Sequence, residues 1–272
     1  YPPGQGGTDK RAGKAVWTEM KIVVMCGGLS MERDVSISSG TLICDALRKL
    51  GHQAVLVDMF MGLEDYEGDL NDLFANLPSL KEARVPVEAP DLEKVIATRK
   101  WKSPSRVGKR VFELCQLADV VFLGLHGACG EDGRIQAALD LMGVKYTGSG
   151  YLGSALAMDK DLTKRLIAGT GVKTPEWQVV DYAEGDIPEI VKNAKLPCVV
   201  KPVDSGSSIG VAIPETAAEL EAALIENLKY GRVLIEQYVR GREIDVGVLG
   251  DRALPSIEII PKHGFYDYKN KY

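Results

Sequence analysis

The opening of the patterned sequence follows the order strand, glycine turn, helix, strand. Two short apolar runs, residues 21–26 and 54–57, flank a segment with helical spacing, and the first run ends at Gly27-Gly28. The apolar positions of the helical segment are Leu42, Ala46, Leu47 and Leu50. A β–α–β unit places its strands in parallel, so the sequence predicts an α/β domain whose ligands bind at the carboxyl edge of the sheet.

The rest of the chain divides into segments with different patterns. Residues 1–19 lack a clear period and are interpreted as a flexible leader or a cloning remnant. Residues 20–159 are expected to form the parallel-sheet domain, with an insertion of partial helix at about 60–109. Within this domain the pattern predicts helices at 109–117 and after Asp132, and strands at 119–125 and 144–146.

A second domain is expected at residues 160–242, where strands alternate with Gly/Ser-rich turns. This pattern is typical of an α+β domain with an antiparallel sheet. The predicted strands are 177–180, 198–202, 210–213 and 233–238, with a helix up to residue 167 and another at 217–228. Residues 243–272 are expected to begin a further sheet, with strands at 244–249 and 254–260 that the sequence does not complete.

Composition excludes several classes of protein. With 33 Lys+Arg against 38 Asp+Glu, the net charge of -5 argues against nucleic acid as a partner. Since no apolar run approaches the length of a membrane span and the start lacks a secretory pattern, we expect a cytoplasmic protein without a membrane anchor. The five cysteines show no CxxC spacing, which indicates reduced thiols rather than disulfides or a zinc site.

A Gly/Ser-rich loop follows the apolar strand at residues 198–202. The stretch CVVKPVDSGSSIG can turn backbone N–H groups and hydroxyls toward one point, and Lys201 adds a positive charge beside them. Phosphate is the natural ligand of such a loop, although a plain β-hairpin whose glycines only permit the turn explains the motif equally well. The sequence contains no GxxxxGK[ST] motif, so a P-loop nucleotide site is not supported.

Carboxylates and a histidine complete the set of candidate residues. Glu236 ends an apolar strand and Glu243 follows a Gly-containing turn, where carboxylates can accept hydrogen bonds from ribose hydroxyls; an ordinary strand end is the alternative. Glu32 follows the first strand and can hold a substrate ammonium group, or can simply be a carboxylate at a helix N-terminus. His126 and Glu131, on a Gly-rich loop at the same sheet edge, are a candidate hydrogen-bonded pair; a lone histidine is more often structural.

Read together, these motifs resemble the D-alanine:D-alanine ligases of the ATP-grasp family from about Met20 to the last residue. The matching stretches are GGLSMERDVS, LHGACGEDG, YTGSGYLGSALAMDK, VVKPVDSGSSIG, VLIEQYVRGRE, LPSIEI and FYDYKNKY. The resemblance implies a Rossmann-like parallel-sheet domain followed by an ATP-grasp α+β domain, with the C-terminal ATP-grasp domain truncated. It also implies ligation of two D-alanines through an acyl phosphate, for synthesis of peptidoglycan precursors.

The resemblance assigns roles to individual residues. Glu32 would bind the amino group of the first D-alanine, supported by His126 and Glu131, and Ser207 would orient that substrate. Tyr272 would cap the site. The residues that would contact ATP are Lys160, Lys201 and Lys271 at the phosphates, Glu236 and Glu243 at the adenosine, and the backbone of Gln237, Tyr238 and Val239 at the adenine, with Ser207 beside them.

The resemblance also implies components that are not found in this sequence. Family members use Mg²⁺ or Mn²⁺, whose acidic and Asn ligands would lie beyond Tyr272. If the 272 residues are the whole molecule, we therefore expect it to bind nucleotide weakly and to form no dipeptide. A D-alanine:D-lactate or D-alanine:D-serine ligase and an inactive ligand-binding fragment are the alternatives. A homodimer is the expected assembly.

Overall fold

The computed structural model describes residues 18–81, 84–86, 88–262, 264 and 271. Residues 1–17 of the predicted leader and the predicted capping residue Tyr272 lie outside this part of the chain. All five cysteines are free, and four of them are buried. No helix among the described residues combines the length and the apolar character needed to cross a bilayer.

A parallel sheet forms the centre of the first domain, as the opening pattern predicts. Its strands are β1 (Lys21–Cys26), β2 (Gln53–Asp58) and β3 (Val120–Leu123), in the order β2-β1-β3. Helix α1 (Arg33–Lys49) connects β1 to β2. Successive β1 side chains alternate between two buried clusters, with Val23 and Met25 in one and Ile22 and Val24 in the other. Burial on both faces explains why these strands are continuously apolar.

Short helices also belong to the first domain. They are α2 (Leu70–Ala75), α3 (Leu92–Thr98), α4 (Val111–Gln116), α5 (Arg134–Leu141) and α6 (Tyr151–Met158). The first two lie in the predicted insertion, and each begins at an aspartate whose carboxylate accepts a backbone N–H, Asp69 for α2 and Asp91 for α3. The insertion therefore contains regular structure that its weak apolar pattern only partly indicates.

An antiparallel sheet forms the second unit. Its strands are β4 (Trp177–Val180), β5 (Cys198–Pro202) and β6 (Val233–Gln237), in the order β4-β6-β5. The helices are α7 (Lys160–Ile167), α8 (Ile187–Asn193) and α9 (Ala217–Asn227). Helices α8 and α9 cover one face of the sheet, where Leu220 and Leu224 pack on Val200 and Ile235. Thr216 starts α9 through a capping box with Glu219.

Four short strands follow: β7 (Glu243–Asp245), β8 (Val248–Leu249), β9 (Arg252–Ala253) and β10 (Ile257–Ile259). Strand β7 pairs with β10, and β8 pairs with β9, in both cases antiparallel. The predicted strand at 244–249 is therefore wrong in one respect, because the chain divides it between two separate pairings. Val248, Leu249 and Ile257 remain exposed on these strands.

Two other predicted strands are reduced to single bridges. Residues 210–213 contribute only the pairing of Ala212 with Val200, because Gly210 adopts a left-handed backbone (φ 72°) that interrupts an extended run. Residues 144–146 contribute only the pairing of Tyr146 with Val121. There the chain reaches the turn at Gly148 (φ 98°) soon after it meets the edge of β3.

Candidate active site

The turn between β1 and α1 is shaped by a buried ion pair. Arg33 pairs with the Asp58 carboxylate, which also accepts the backbone N–H groups of Phe60 (2.9 Å) and Met61 (3.0 Å). Gly27 has φ 69°, and a Cβ there would lie 2.6 Å from the Asp58 carboxylate, so glycine is required. The turn therefore holds Glu32 at the carboxyl edge of the parallel sheet, where α/β folds bind ligands.

Glu32 is buried between loops from two distant parts of the chain. It stands at the N-terminus of α1 but makes no capping bond with its side chain. Instead, Ser207 donates its hydroxyl to Glu32 Oε1. A Cβ on Gly127 or on Gly206 would lie 2.8 Å or 2.9 Å from Oε2, respectively, so two glycines leave the room that the carboxylate occupies. A buried carboxylate of this kind is suited to a cationic ligand group.

The predicted pairing of His126 with Glu131 is wrong, because each side chain has a different partner. His126 Nε2 lies 3.2 Å from the Ser39 hydroxyl on α1. Glu131 accepts the backbone N–H of Gly127 at 2.7 Å, within its own loop. Both residues thus lie near Glu32, with Glu131 fixing the loop that contacts the carboxylate and His126 contacting α1.

The loop after β5 is held in an unusual conformation. Ser207 (φ 49°) and Ser208 (φ 59°) both adopt the left-handed region, which costs energy for residues other than glycine. Lys160 on α7 holds the start of the loop, where its ammonium group donates to the carbonyls of Pro202 (3.0 Å), Val203 (3.3 Å) and Ser205 (2.5 Å). Strain of this kind is typical of ligand-binding loops.

A cluster of charged side chains lies beside this loop. Lys201 on β5 donates to Glu236 Oε1 on β6, and Lys164 Nζ lies 2.8 Å from Oε2. Glu236 pairs in register with Val199, so Lys201 is its diagonal neighbour on the same face of the sheet. Lys160 and Lys164 are one turn apart on α7. The cluster therefore concentrates positive charge around one buried carboxylate.

The pKa of Lys160 reflects this crowding. Burial first, and repulsion from Lys201 second, lower the pKa of its ammonium group from 10.5 to about 8, against the opposing effects of Asp204, Asp159 and Glu236. The charged form of Lys160 is thus under-solvated and repelled by a like charge. A polyanion bound at this point would favour that charged form.

Two clefts adjoin these residues. One of about 490 Å³ contains Lys160, Glu131, Gln136 and Ser205 in its walls. The other, of about 540 Å³, lies at the end of β6, and its walls include Trp177, Cys198, Glu236, Gln237 and Tyr238. Two of the three residues predicted to line an adenine slot therefore line the second cleft. Val239 and Glu243 are exposed, and Lys271 is partly buried.

The sequence interpretation did not identify Lys164. Its only signal is the spacing of four residues from Lys160 along a helix, which places both lysines on one face. That signal is weak in itself, since such spacing is common in solvated helices. Its significance comes from the position of Glu236 opposite this face.

The described part of the chain, which runs to residue 262 and includes residues 264 and 271, contains no evident metal site. Within it, no group of three or more His, Cys, Asp or Glu side chains is arranged to hold a metal ion. The described carboxylates near the lysines, Glu236 and Asp204, do not form such a group. The residues described here therefore do not fit a magnesium site.

Comparison with known proteins gives matches to one family along most of the chain. Residues 21–149 match the D-ala D-ala ligase N-terminus and residues 166–272 match the D-ala D-ala ligase C-terminus. The D-alanine–D-alanine ligase of Pediococcus pentosaceus is 38% identical over 255 residues, which cover 93% of this chain and 72% of the relative. The ligase of Aquifex aeolicus is 37% identical over 254 residues, covering 93% and 71%.

Solved structures of such ligases share the fold. A D-alanine–D-alanine ligase from Bacillus anthracis complexed with ATP matches with a TM-score of 0.60 and 26% identity, over 91% of this chain and 68% of that one. The VanG D-Ala:D-Ser ligase from Enterococcus faecalis matches with a TM-score of 0.63 and 28% identity, over 94% and 74%. These matches confirm the predicted combination of a parallel-sheet domain with an ATP-grasp domain. The chain belongs to the D-alanine–D-alanine ligase family.

Proposed function

We propose that this chain carries out the ATP-dependent joining of two D-alanines, through an acyl phosphate, for peptidoglycan precursor synthesis. The observation that carries this proposal is the contact between Glu32 and Ser207. It joins an anionic pocket at the parallel-sheet edge to the strained loop after β5, which lies beside Lys160 and Lys201. An amino acid bound through its ammonium group at Glu32 would direct its carboxylate toward that loop.

Glu32 and Ser207 are proposed to bind the first D-alanine. The buried carboxylate would pair with the substrate ammonium group, a charge-assisted contact that gains strength from burial. Ser207 now donates to that carboxylate and would turn its hydroxyl to the incoming substrate. Glu131 and His126 would act less directly, by fixing the loop and helix around Glu32.

Lys160 and Lys201 are proposed to bind the ATP phosphates. In the first step, a carboxylate oxygen of D-alanine attacks the γ-phosphorus while the bond to the β,γ-bridging oxygen breaks, releasing ADP. In the second, the neutral amine of the second D-alanine attacks the acyl carbon, phosphate leaves, and the amine loses a proton. Both steps depend on positioning and charge neutralisation, which lysines and backbone N–H groups supply.

The adenosine is proposed to occupy the cleft at the end of β6. Glu236 Oε2 is buried there and lies 2.8 Å from the ammonium group of Lys164, which balances its charge. A carboxylate has about four acceptor sites, so Glu236 can also accept a nucleotide N–H or hydroxyl group. Glu243 and the backbone of Gln237, Tyr238 and Val239 are proposed to contact the same nucleotide, with Lys271 and Tyr272 closing over the phosphates.

Magnesium or manganese is part of the proposed reaction, since divalent ions neutralise the phosphates in phosphoryl transfer. No described residue is assigned to it, and no step above is routed through it. We also propose a cytoplasmic location and a homodimer, both supported by the family resemblance. Analytical ultracentrifugation of the purified chain would test the dimer.

D-Serine is the second candidate for the attacking substrate. The structural match to the VanG D-Ala:D-Ser ligase, with a TM-score of 0.63 and 28% identity, is as good as that to the Bacillus anthracis D-alanine–D-alanine ligase complexed with ATP, with 0.60 and 26%. The described residues do not separate the two substrates.

Phosphate release and product formation test the proposal together. The protein would be given ATP, Mg²⁺ and D-alanine, alone or with D-serine or D-lactate, and the products identified by mass spectrometry. We expect phosphate release that depends on D-alanine, together with D-alanyl-D-alanine, and no release with L-alanine. Nucleotide binding without any such release would instead indicate a binding module.

A further inference from the structure

Lys164 lies deep in the charged cluster and is held on several sides. Its side chain is 9% exposed. The ammonium group donates to Thr174 Oγ1 at 2.6 Å and to the carbonyl of Pro175 at 3.0 Å. It also lies 5.0 Å from the centre of the Trp177 ring. These contacts fix the ammonium group within the protein, so Lys164 is poorly placed to reach out to a ligand.

The remaining contact of Lys164 is with the same carboxylate that binds Lys201. Glu236 is 8% exposed and faces Lys201 through Oε1 and Lys164 through Oε2. The Lys164 ammonium group lies 2.8 Å from Oε2 and balances the charge of the carboxylate. Lys201 is the more accessible of the two lysines, with 22% of its side chain exposed.

We propose that Lys164 is a positioning residue of the nucleotide site, which balances the charge of Glu236 so that Lys201 is free to move to the phosphates. The inference rests on the proposed function, because it requires an anionic nucleotide that competes for Lys201. If Lys201 were the only partner of Glu236, its transfer to phosphate would leave a buried carboxylate uncompensated, at a large cost. Lys164 removes that cost, because it stays with Glu236 in both states.

Loss of Lys164 is expected to affect nucleotide binding more than stability or D-alanine binding. In Lys164→Gln without ligand, Lys201 still compensates Glu236, so the fold should persist with only a modest drop in melting temperature. When nucleotide binds to this variant, movement of Lys201 to the phosphates leaves the charge of Glu236 uncompensated. The loss should therefore appear mainly as weaker nucleotide binding, whereas the Michaelis constant for D-alanine should change much less.

A double-mutant cycle tests the mechanism, with binding of a non-hydrolysable ATP analogue and Mg²⁺ measured by calorimetry. Lys164→Gln should weaken binding by roughly tenfold or more. In the Glu236→Gln background, where no buried charge needs compensation, the same change should weaken binding by less than about threefold. Suppression by Glu236→Gln is the readout that a purely structural role of Lys164 would not produce.

The other outcomes are equally informative. Equal losses in both backgrounds, or wild-type affinity in Lys164→Gln, would overturn the inference while leaving the proposed function in place. Failure of the wild-type protein to bind the analogue would overturn both. If Lys164→Gln does not fold, Thr174→Val removes one anchor of the ammonium group and should weaken analogue binding by about two- to fivefold, again only when Glu236 is present; unchanged binding there would also refute the inference.

Discussion

Ser207 donates a hydrogen bond to Glu32 across 175 positions of the chain. The contact joins the carboxyl edge of the parallel sheet to the loop after β5, so a ligand at Glu32 is adjacent to the residues proposed to hold phosphate. Two glycines, Gly127 and Gly206, approach the same carboxylate closely. This junction and the neighbouring lysines are therefore expected to bind different substrates, the junction the amino acid and the lysines the nucleotide.

Replacing Glu32 should impair amino-acid binding selectively. Glu32→Gln keeps the shape of the side chain but removes the charge that would pair with the substrate ammonium group. We expect the Michaelis constant for the first D-alanine to rise by roughly tenfold to a hundredfold, from loss of a charge-assisted contact, with a much smaller change for ATP. Steady-state kinetics on the active ligase would measure both constants.

Glu226→Gln is the matched control, because Glu226 is exposed on α9 and belongs to none of the proposed binding sites. It should leave both Michaelis constants unchanged. Equal effects of Glu32→Gln on D-alanine and on ATP would contradict the assignment. Such a result would indicate that Glu32 supports the junction as a whole.

Replacing Lys201 should weaken nucleotide binding. In Lys201→Ala the loss of one phosphate contact is expected to cost about 1.5 to 3 kcal/mol, or roughly tenfold to a hundredfold in ATP affinity. The fold should remain, because Lys164 still balances Glu236. Calorimetry would measure the affinity, and Lys192→Ala, which changes an exposed side chain of α8, is the control. Unchanged ATP affinity in Lys201→Ala would show that the lysine serves only its partner Glu236.

Much of this site could be predicted from the sequence, and the reasons are local. Strands β1 and β5 have the predicted bounds, because each apolar run ends at a residue that stops it, Gly27 after β1 and the Pro202 turn at the end of β5. The positions of Glu32 and Lys201 at strand ends follow directly. For a residue at the end of a strand, the apolar run that predicts the strand also predicts the position of that residue in the sheet.

What could not be predicted depends on packing between distant segments. The start of α1 is a Ser- and Gly-rich stretch without apolar periodicity. Its small residues serve close packing instead: a Cβ on Gly40 would lie 2.6 Å from the Cβ of Cys26 on β1. The pairing of Lys164 with Glu236 depends on how α7 docks on the second sheet. No local pattern encodes that docking.

A methyl group at Gly206 should displace Glu32 without unfolding the protein. The Cβ of Gly206→Ala would lie 2.9 Å from Glu32 Oε2, the mobile end of a side chain, so the carboxylate can shift at little cost in stability. A small shift of an anchoring group can reduce catalysis substantially, and we expect a roughly tenfold rise in the Michaelis constant for D-alanine.

Gly185→Ala is the control for this change, because a Cβ there meets nothing within 4 Å. It should leave kinetics unchanged and leave the melting temperature equal or slightly higher. If Gly206→Ala shows wild-type kinetics, the Glu32 carboxylate does not need the position that it has here, and the proposed ammonium site would be wrong.

ATP affinity should fall as pH rises through about 8, because of Lys160. Burial lowers the pKa of this lysine to about 8, so between pH 7 and 9 the unliganded protein loses the positive charge that would bind phosphate. Bound triphosphate favours the charged form, hence binding takes up a proton at high pH and approaches a tenfold loss of affinity per pH unit above the pKa. The effect on folding has the opposite sign: the folded pKa lies below the unfolded value of 10.5, so the unfolded chain binds more protons between pH 8 and 10.5 and this group's contribution to stability increases with pH.

Calorimetric titration of ATP at several pH values would measure how its affinity changes with pH, and Lys160→Gln should bind ATP weakly but with little pH dependence. A wild-type affinity that stays constant from pH 7 to 9 would mean that Lys160 is not a phosphate ligand.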